Sequence, residues 1–413
     1  MSGGRSFLFL QGLATEFFVR LGDALILRGH SVRRVNFNAG DALFWQRPGS
    51  FDYTGQPADW PRLLDGLILA HGVTDLVVFG DCAPLHAAAI PVAQLRGATI
   101  WVFEDGYLRP GYATLEQDGV NGNSALPRDP QRLLRLAAAL PPAMPETRSS
   151  HSLRRRALDD IRYTWANLLG RGRFPHWRTH RPWNPFREYA GWAWRGLWRP
   201  PVMLGARLRQ RRILAQTRPI FLFPLQLEGD TQIRIWSPFH SMAEAVEQVI
   251  GSFARCAPLG AQLIVKGHPL DNGLVSWNGL TRRLAKRHGV ADRVHYLSEV
   301  AYTPLLAASR GVVTVNSTAG LQALREGKPV VTLGTAIYDL PGLTWQKGLD
   351  SFWIEATPPD MTLVDALRRV LAAHCLIRGG FFGEEQIRVG IECAVERMTV
   401  REAASTPSQL AQG

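Results

Sequence analysis

Val312-Val313-Thr314-Val315-Asn316-Ser317-Thr318-Ala319-Gly320-Leu321-Gln322-Ala323-Leu324 decides the fold of this chain. Its first half, Val312–Asn316, is an apolar, β-branched run of strand length, and its second, Thr318–Glu326, keeps helical spacing. Val330–Leu333 follows as another apolar run. Strands separated by helical stretches predict a parallel sheet with right-handed crossovers. The same alternation extends outward from this unit. Ile220–Pro224, Gln262–Lys266 and Val294–Leu297 read as strands and Met242–Arg255 as a helix. Ser6–Gln11, Val32–Phe37, Asp75–Phe79 and Thr99–Phe103 form an earlier strand series, with Glu16–Arg28 a helix stopped by Gly29-His30. Two apolar-periodic helices, near Thr362–His374 and Glu384–Arg397, close the chain.

The 413 residues exceed one ordinary core, and the two series divide them. The expected class is α/β and GT-B-like: two Rossmann-like doubly wound domains facing a central cleft, with an Arg/Trp-rich helical insert. The boundaries read as 1–145 for an N-terminal domain, 146–218 for the insert and 219–375 for a C-terminal domain. Residues 376–413 read as a helix returning to the N-terminal domain and a polar tail. Ligands of such sheets bind beyond the carboxyl ends of the strands, so chemistry is sought in those loops.

Composition narrows the class of protein. With 46% apolar and 20% charged residues the chain folds into a core. The scattered cysteines, Cys82, Cys256, Cys375 and Cys393, have neither zinc-site nor disulfide-framework spacing and fit a reducing compartment. The apolar run near Met1 is too short for a secretory signal, and no window approaches eighteen apolar residues. A cytoplasmic protein is the expectation. The net charge of +12 is local: His151 to Arg218 holds sixteen arginines and three acids, leaving the remainder near −1. That segment also carries six of the thirteen tryptophans.

Four loops fall at expected strand ends. Phe103-Glu104-Asp105-Gly106-Tyr107-Leu108-Arg109-Pro110 pairs two acids with an arginine. A carboxylate there suits a base or nucleophile, and Arg109 suits an anionic group, although an ordinary polar turn has the same composition. In Val265-Lys266-Gly267-His268-Pro269-Leu270-Asp271, Pro269 biases His268 away from helical backbone. The imidazole would then sit rigidly at a strand end near Lys266, facing a phosphate or ribose; the plain alternative is a structural histidine. Asn316, Ser317 and Thr318 run into a helix start, where caps and free amides favour an anion such as a nucleotide phosphate. Pro224–Gln232, with Gln226 and Asp230, and Gly12 beside Thr15 belong to the same strand ends with weaker signals. Together these parts describe a sugar transferase with a nucleotide donor. No DxD-type acidic pair stands at a strand end, so a metal-independent reaction without cofactor is expected, with His268, Lys266 and the helix start stabilising the leaving phosphate.

The basic segment has three readings. Helices with arginine on one side and tryptophan on the other settle at an anionic membrane surface. Arginine with aromatics also serves nucleic acid, but no nucleic-acid module surrounds it and the rest of the chain is not basic. The third reading is a solvated helical face with tryptophans packed on the first domain. Membrane contact is preferred, and nucleic acid is not expected as a partner.

Phe103–Pro110 with Thr114-Leu115-Glu116 and Gly119-Val120-Asn121-Gly122, then Pro224–Gln232, Ser237-Pro238-Phe239, Lys266–Asp271 and Asn316–Gly320, resemble in order the capsular polysaccharide biosynthesis and export family of the LipB/KpsS type. The match spans roughly Phe7 to Gly348. The resemblance implies a transferase moving Kdo from CMP-Kdo, the donor substrate, to a lipid-linked, phosphatidylglycerol-type acceptor at the cytoplasmic face of the inner membrane in Gram-negative capsule assembly. It implies that His268, Pro269, Ser317 and Thr318 bind CMP and that Asp105 is a nucleophile in a retaining reaction. Glu104 and Arg109 would lie beside the sugar, and which of the two acids does the chemistry stays open. Other capsule assembly or export proteins are expected partners. A non-catalytic export factor with the same fold, or a GT-B transferase with another nucleotide donor, remains the alternative; the dense Arg/Trp insert has no residue-by-residue counterpart in the family.

Overall fold

The computed structural model describes residues 4–143, 153–179 and 183–399. Contacts divide the chain into two units: residues 1–127, 139–179 and 368–413 in one, residues 128–138 and 180–367 in the other. The basic segment is therefore shared between two bodies. Its helix Leu153–Leu169 belongs to the first and Pro185–Leu214 to the second.

The first unit holds β1 (Ser6–Phe9), β2 (Ser31–Asn36), β3 (Ser50–Asp52), β4 (Asp75–Phe79), β5 (Thr99–Asp105) and β6 (Tyr112–Gln117). The second holds β7 (Ile220–Pro224), β8 (Gln262–Lys266), β9 (Val294–Leu297), β10 (Ser309–Thr314) and β11 (Val330–Thr332), after which β12 (Leu376–Arg378) returns to the first. In the first sheet the order is β12-β6-β5-β4-β1-β2-β3, and in the second β11-β10-β7-β8-β9. Neighbours within β1–β5 and within β7–β11 all run parallel.

Each set of five strands thus has the doubly wound order 3-2-1-4-5. Its topological switch point, where adjacent crossovers leave in opposite directions, lies between β1 and β4 in one unit and between β7 and β10 in the other. The α/β, two-unit Rossmann-like class expected from the sequence holds. One expectation fails in detail: the first sheet is not wholly parallel. β6 pairs antiparallel with β5, and β12 antiparallel with β6. β6 follows β5 without an intervening helix and β12 closes the edge as a three-residue strand, so neither belongs to the alternating βα pattern by which the others were read.

Near-continuous apolar strands explain the layering. Phe7, Phe9 and Phe103 face helices Phe17–Leu27 and Glu384–Thr399 on one side of the first sheet, while Leu8, Val78 and Val102 face Trp60–His71 and Pro84–Leu95 on the other. In the second unit Phe221, Phe223, Leu263 and Val265 pack under Met242–Cys256 and Trp277–Arg287. Helix Met242–Cys256 opens on a Ser241 cap that accepts from the Glu244 amide, while the Glu244 carboxylate accepts from the amide of His240, just before the cap.

Candidate functional site

In the first unit the acids lie on the strand, not in the loop that follows. β5 runs to Asp105, with Glu104 opposite Thr114 and Asp105 opposite Ala113 of β6. The loop expectation fails because the antiparallel partner extends the ladder by two residues. Strand alternation then sends the two side chains to opposite faces. Glu104 accepts from the Asp105 amide at 2.9 Å, and its other oxygen lies 3.5 Å from where a Cβ on Gly80 would stand, over the end of β4. The half-exposed Asp105 carboxylate is 3.3 Å from Arg109, whose Nε donates to the Gly106 carbonyl at 2.7 Å. The Arg109–Pro110 peptide is cis.

Beneath this turn lies a buried polar network that joins Tyr107, Glu116 and Asn121 of the family-like motifs to Ser124, with Asp81 and Asn123 beside it. The sequence assigned a role to none of them. The Tyr107 hydroxyl donates to Glu116 at 2.8 Å and accepts from the Asn121 amide at 2.7 Å. Ser124 donates to the other Glu116 oxygen. Burial pushes the Glu116 carboxyl up to about 7, against the pull of its hydrogen bonds to Ser124 and Tyr107. Asp81, just beyond β4, accepts from the Val120 amide and from Asn123, both at 3.0 Å. The Gly80-Asp81 pair directly after an apolar strand is the sequence signal by which Asp81 could have been found.

Gly12 stands past β1, beside the switch point, where a Cβ would come within 2.6 Å of the Phe18 ring. Its neighbour Gln11 donates to the Tyr163 hydroxyl at 2.7 Å, and Tyr163 donates to the buried Asp41 at 3.2 Å. Asp41 also lies 3.5 Å from the buried Arg34. Burial raises Asp41 to about 6 in spite of that arginine. The loop at the end of β1 is therefore braced by helix Leu153–Leu169 of the basic segment.

In the second unit the structure brings Gln226, Asp230 and Asn316 together across the switch point. Gln226 donates to Asn316 at 3.0 Å and to Asp230 at 3.2 Å, while the Asn316 amide group donates to the Gln232 and Trp236 carbonyls. Asp230 caps helix Thr231–Ile235. Gln226 and Asn316 thus spend their hydrogen bonds on one another and on the loops, and act as a brace between β7 and β10.

Ser317 follows directly, with its hydroxyl accepting from the Ala319 amide at 3.2 Å and its carbonyl accepting from buried Tyr338 at 2.5 Å. Thr318 occupies the cap position in helical backbone and makes no side-chain cap bond, so the expected paired capping reduces to Ser317. At the end of β8, on the far side of β7 from β10, Lys266 is buried and donates to the Gly267 carbonyl at 2.8 Å. Burial lowers its pKa, with Glu299 opposing and Arg195 assisting. His268 accepts at Nδ1 from the Leu270 amide at 3.0 Å, which leaves the ring's donor at Nε2. The Pro269 carbonyl accepts from Arg195 at 3.0 Å.

A cleft of about 670 Å³ opens beside this switch point, in the size range of small-ligand sites. Arg128, Trp236, Ser237, Pro238, Thr335 and Asp339 are among its walls. The Thr335 amide donates to the Trp236 carbonyl at 2.7 Å, which links the wall to the same turn that holds Asn316. Among the described residues no group of three or more His, Cys, Asp or Glu gathers in a way that would hold a metal ion.

Comparison with known proteins gives a consistent result. The model of a family described as capsule polysaccharide biosynthesis protein matches residues 74–382. The capsule polysaccharide export protein KpsS of Escherichia coli is 33% identical over 388 residues, which cover 92% of this chain and 97% of that protein. The capsule polysaccharide modification protein LipB of Neisseria meningitidis (serogroup A / serotype 4A) is 33% identical over 392 residues, 93% of each chain. Among solved structures, the β-Kdo 2,7 transferase of Thermosulfurimonas dismutans KpsC is 14% identical with a TM-score of 0.46, covering 94% of this chain and 99% of that one.

Proposed function

From the premise that the chain belongs to the capsule polysaccharide biosynthesis family, we propose that it is a glycosyltransferase moving Kdo from CMP-Kdo to a phosphatidylglycerol-type, lipid-linked acceptor at the inner face of the membrane. The observation that carries this reading is positional. The candidate residues sought at expected strand ends lie, in each unit, at carboxyl ends of strands at or beside a 3-2-1-4-5 switch point, where doubly wound sheets bind ligands.

In this proposal the second unit holds the donor. The His268 ring, with its donor at Nε2, and the hydroxyls of Ser317 and Thr318 meet the nucleotide and its phosphate, with Lys266 as nearby positive charge. Gln226, Asp230 and Asn316 keep the two switch-point loops in register. The first unit supplies the chemistry without a metal. The Asp105 carboxylate attacks the anomeric carbon as its bond to the phosphate breaks and CMP leaves. The acceptor hydroxyl then displaces Asp105, its proton passing to solvent, and two displacements return the original anomeric configuration. Arg109, already 3.3 Å from Asp105, positions that carboxylate and meets the sugar's own carboxylate.

The name of the export protein among the relatives supports a second reading, a non-catalytic assembly factor that binds the same glycolipid and other capsule proteins. A transfer assay with CMP-Kdo generated in situ and a phosphatidylglycerol acceptor separates the two. Product from the wild type and a loss of at least about a thousandfold in Asp105→Ala, with CMP binding retained, is expected for the transferase. No product from either protein, with CMP bound by both, defeats the catalytic reading; no CMP binding defeats the donor assignment.

A further inference from the structure

Helix Pro185–Leu214 is amphipathic the wrong way round for a surface helix of a water-soluble protein. Up to Gln210 its inner face is largely polar or small, and only Ile213, near its end, is a buried large apolar group. Gly191 packs so closely that a Cβ would lie 2.6 Å from the Asn272 carbonyl. Arg195 and Arg199 bind the two oxygens of Glu299, a carboxylate with only 7% of its side chain exposed, and Gln210 donates to the Ala301 carbonyl at 3.1 Å. The outer face carries the large apolar groups. Phe186, Trp194, Leu197, Trp198, Leu204 and Leu208 are all exposed, Trp194 to 64% and Leu197 to 71%. Trp194, Leu197, Leu204 and Leu208, successively three, seven and four residues apart, share one stripe on the side opposite Arg195 and Gln210, and Trp198 stands at its edge toward Gly191. Such an arrangement exposes apolar area that water alone would penalise.

Charge identifies the occupant. Exposed arginines stand at both ends of the stripe, Arg187 before it and Arg207, Arg209, Arg211 and Arg212 after it. A second copy laid on this face would bring those arginines against one another, whereas an anionic bilayer accepts both features. Acyl chains take the tryptophans and leucines, and phosphates take the arginines. No described helix is long and apolar enough to cross a membrane, so the contact is with the surface. We propose that the outward stripe of Pro185–Leu214 lies in the interface of an anionic bilayer, held there by its arginine ends. This deepens the membrane part of the proposed function by naming the surface that makes the contact, and it rests on that reading only for the identity of the lipid acceptor.

The test is co-sedimentation of the full chain with phosphatidylcholine vesicles, with and without phosphatidylglycerol, for the wild type and for the triple variant Trp194→Ser, Leu197→Ser, Trp198→Ser. These side chains are exposed, so the melting temperature should be unchanged. Binding to the anionic vesicles should fall by at least about a hundredfold, as expected for withdrawing three large apolar groups from an interface. Equal vesicle binding by the variant overturns the proposal. So does wild-type self-association that the variant abolishes, without vesicle binding by either. A water-soluble short-chain phosphatidylglycerol keeps the two readings apart: the variant should use it as well as the wild type does. Vesicle binding with no transfer to either acceptor leaves the docking surface standing and removes the transferase.

Discussion

Replacing Arg195 by alanine tests how the basic segment supports the loop that carries His268. Arg195 donates through Nε to Glu299 at 3.0 Å and through a guanidinium nitrogen to the Pro269 carbonyl at 3.0 Å. Arg195→Ala leaves the enclosed Glu299 carboxylate with Arg199 alone, at 2.8 Å, and the Pro269 carbonyl without this donor. Full removal of a buried charge's partner costs about 3–5 kcal/mol, and one remaining arginine should bring this to about 2 kcal/mol. For a body of this size that is a fall of roughly 4–8 °C in melting temperature. Burial pushes the Glu299 carboxyl up, but the two arginines more than offset it and hold it below its ordinary value. Its contribution is therefore present above the unfolded value of about 4.5 and fades as pH falls through the lower folded one. In Arg195→Ala the opposing arginine is gone and Glu299 protonates more readily. The penalty should be largest at pH 7 and shrink toward pH 4.5. Melting curves at the two pH values, together with CMP titration at pH 7, measure both effects. A melting temperature within 1 °C of wild type at pH 7, or an equal penalty at both pH values, would refute the reasoning. CMP affinity should fall by about tenfold if the Pro269 carbonyl contact holds His268 in place, a loss of one typical charged hydrogen bond.

Two further predictions concern the loops themselves. A methyl group on Gly320 would run into the hydroxyl of buried Tyr338, which cannot move aside, so Gly320→Ala should cost about 1–3 kcal/mol and weaken CMP binding, with Tyr338→Phe partly restoring both in melting and titration experiments. Glu116 has a folded value of about 7, above its unfolded one, so it favours the folded state at low pH and loses that advantage as pH rises from about 4.5 to 7. Glu116→Gln removes this dependence: relative to wild type, the variant should gain on the order of 3 kcal/mol between pH 5 and 8, read from denaturant midpoints, and a constant difference would count against the buried-carboxyl account.

Legibility differed from residue to residue. Asp75–Phe79, Ile220–Pro224, Gln262–Lys266 and Val294–Leu297 have the same bounds in the structure as in the sequence reading, because strands buried on both faces are continuous apolar runs. β6 was missed because Tyr112–Gln117 mixes Thr114, Glu116 and Gln117 into the strand, polar groups that only the Tyr107, Ser124 and Asp105 contacts make tolerable. The same omission put Glu104 and Asp105 in a loop. His268 and Ser317 were legible because a proline and a strand-to-helix junction are local signals. Glu299 and Tyr338 were not, because each matters only through a partner at least 21 residues away.

The basic segment divides these two kinds of information most sharply. Its arginines and tryptophans were countable in the sequence, and a helix lined by both was expected to show arginine on one side and tryptophan on the other. Yet the charge count could not say which arginines face inward. That depends on Glu299, Pro269 and Gly191's neighbour Asn272, groups far along the chain that come together only when the second unit folds. Periodicity and composition are properties of a single segment, so the sequence by itself determined the alternating elements, the two doubly wound units and the local concentration of charge. Which face of Pro185–Leu214 is buried, which acid of the Glu104-Asp105 pair leans over β4 and which side chains brace the switch points are pairwise facts, settled by contacts between segments and so decided only by the tertiary structure.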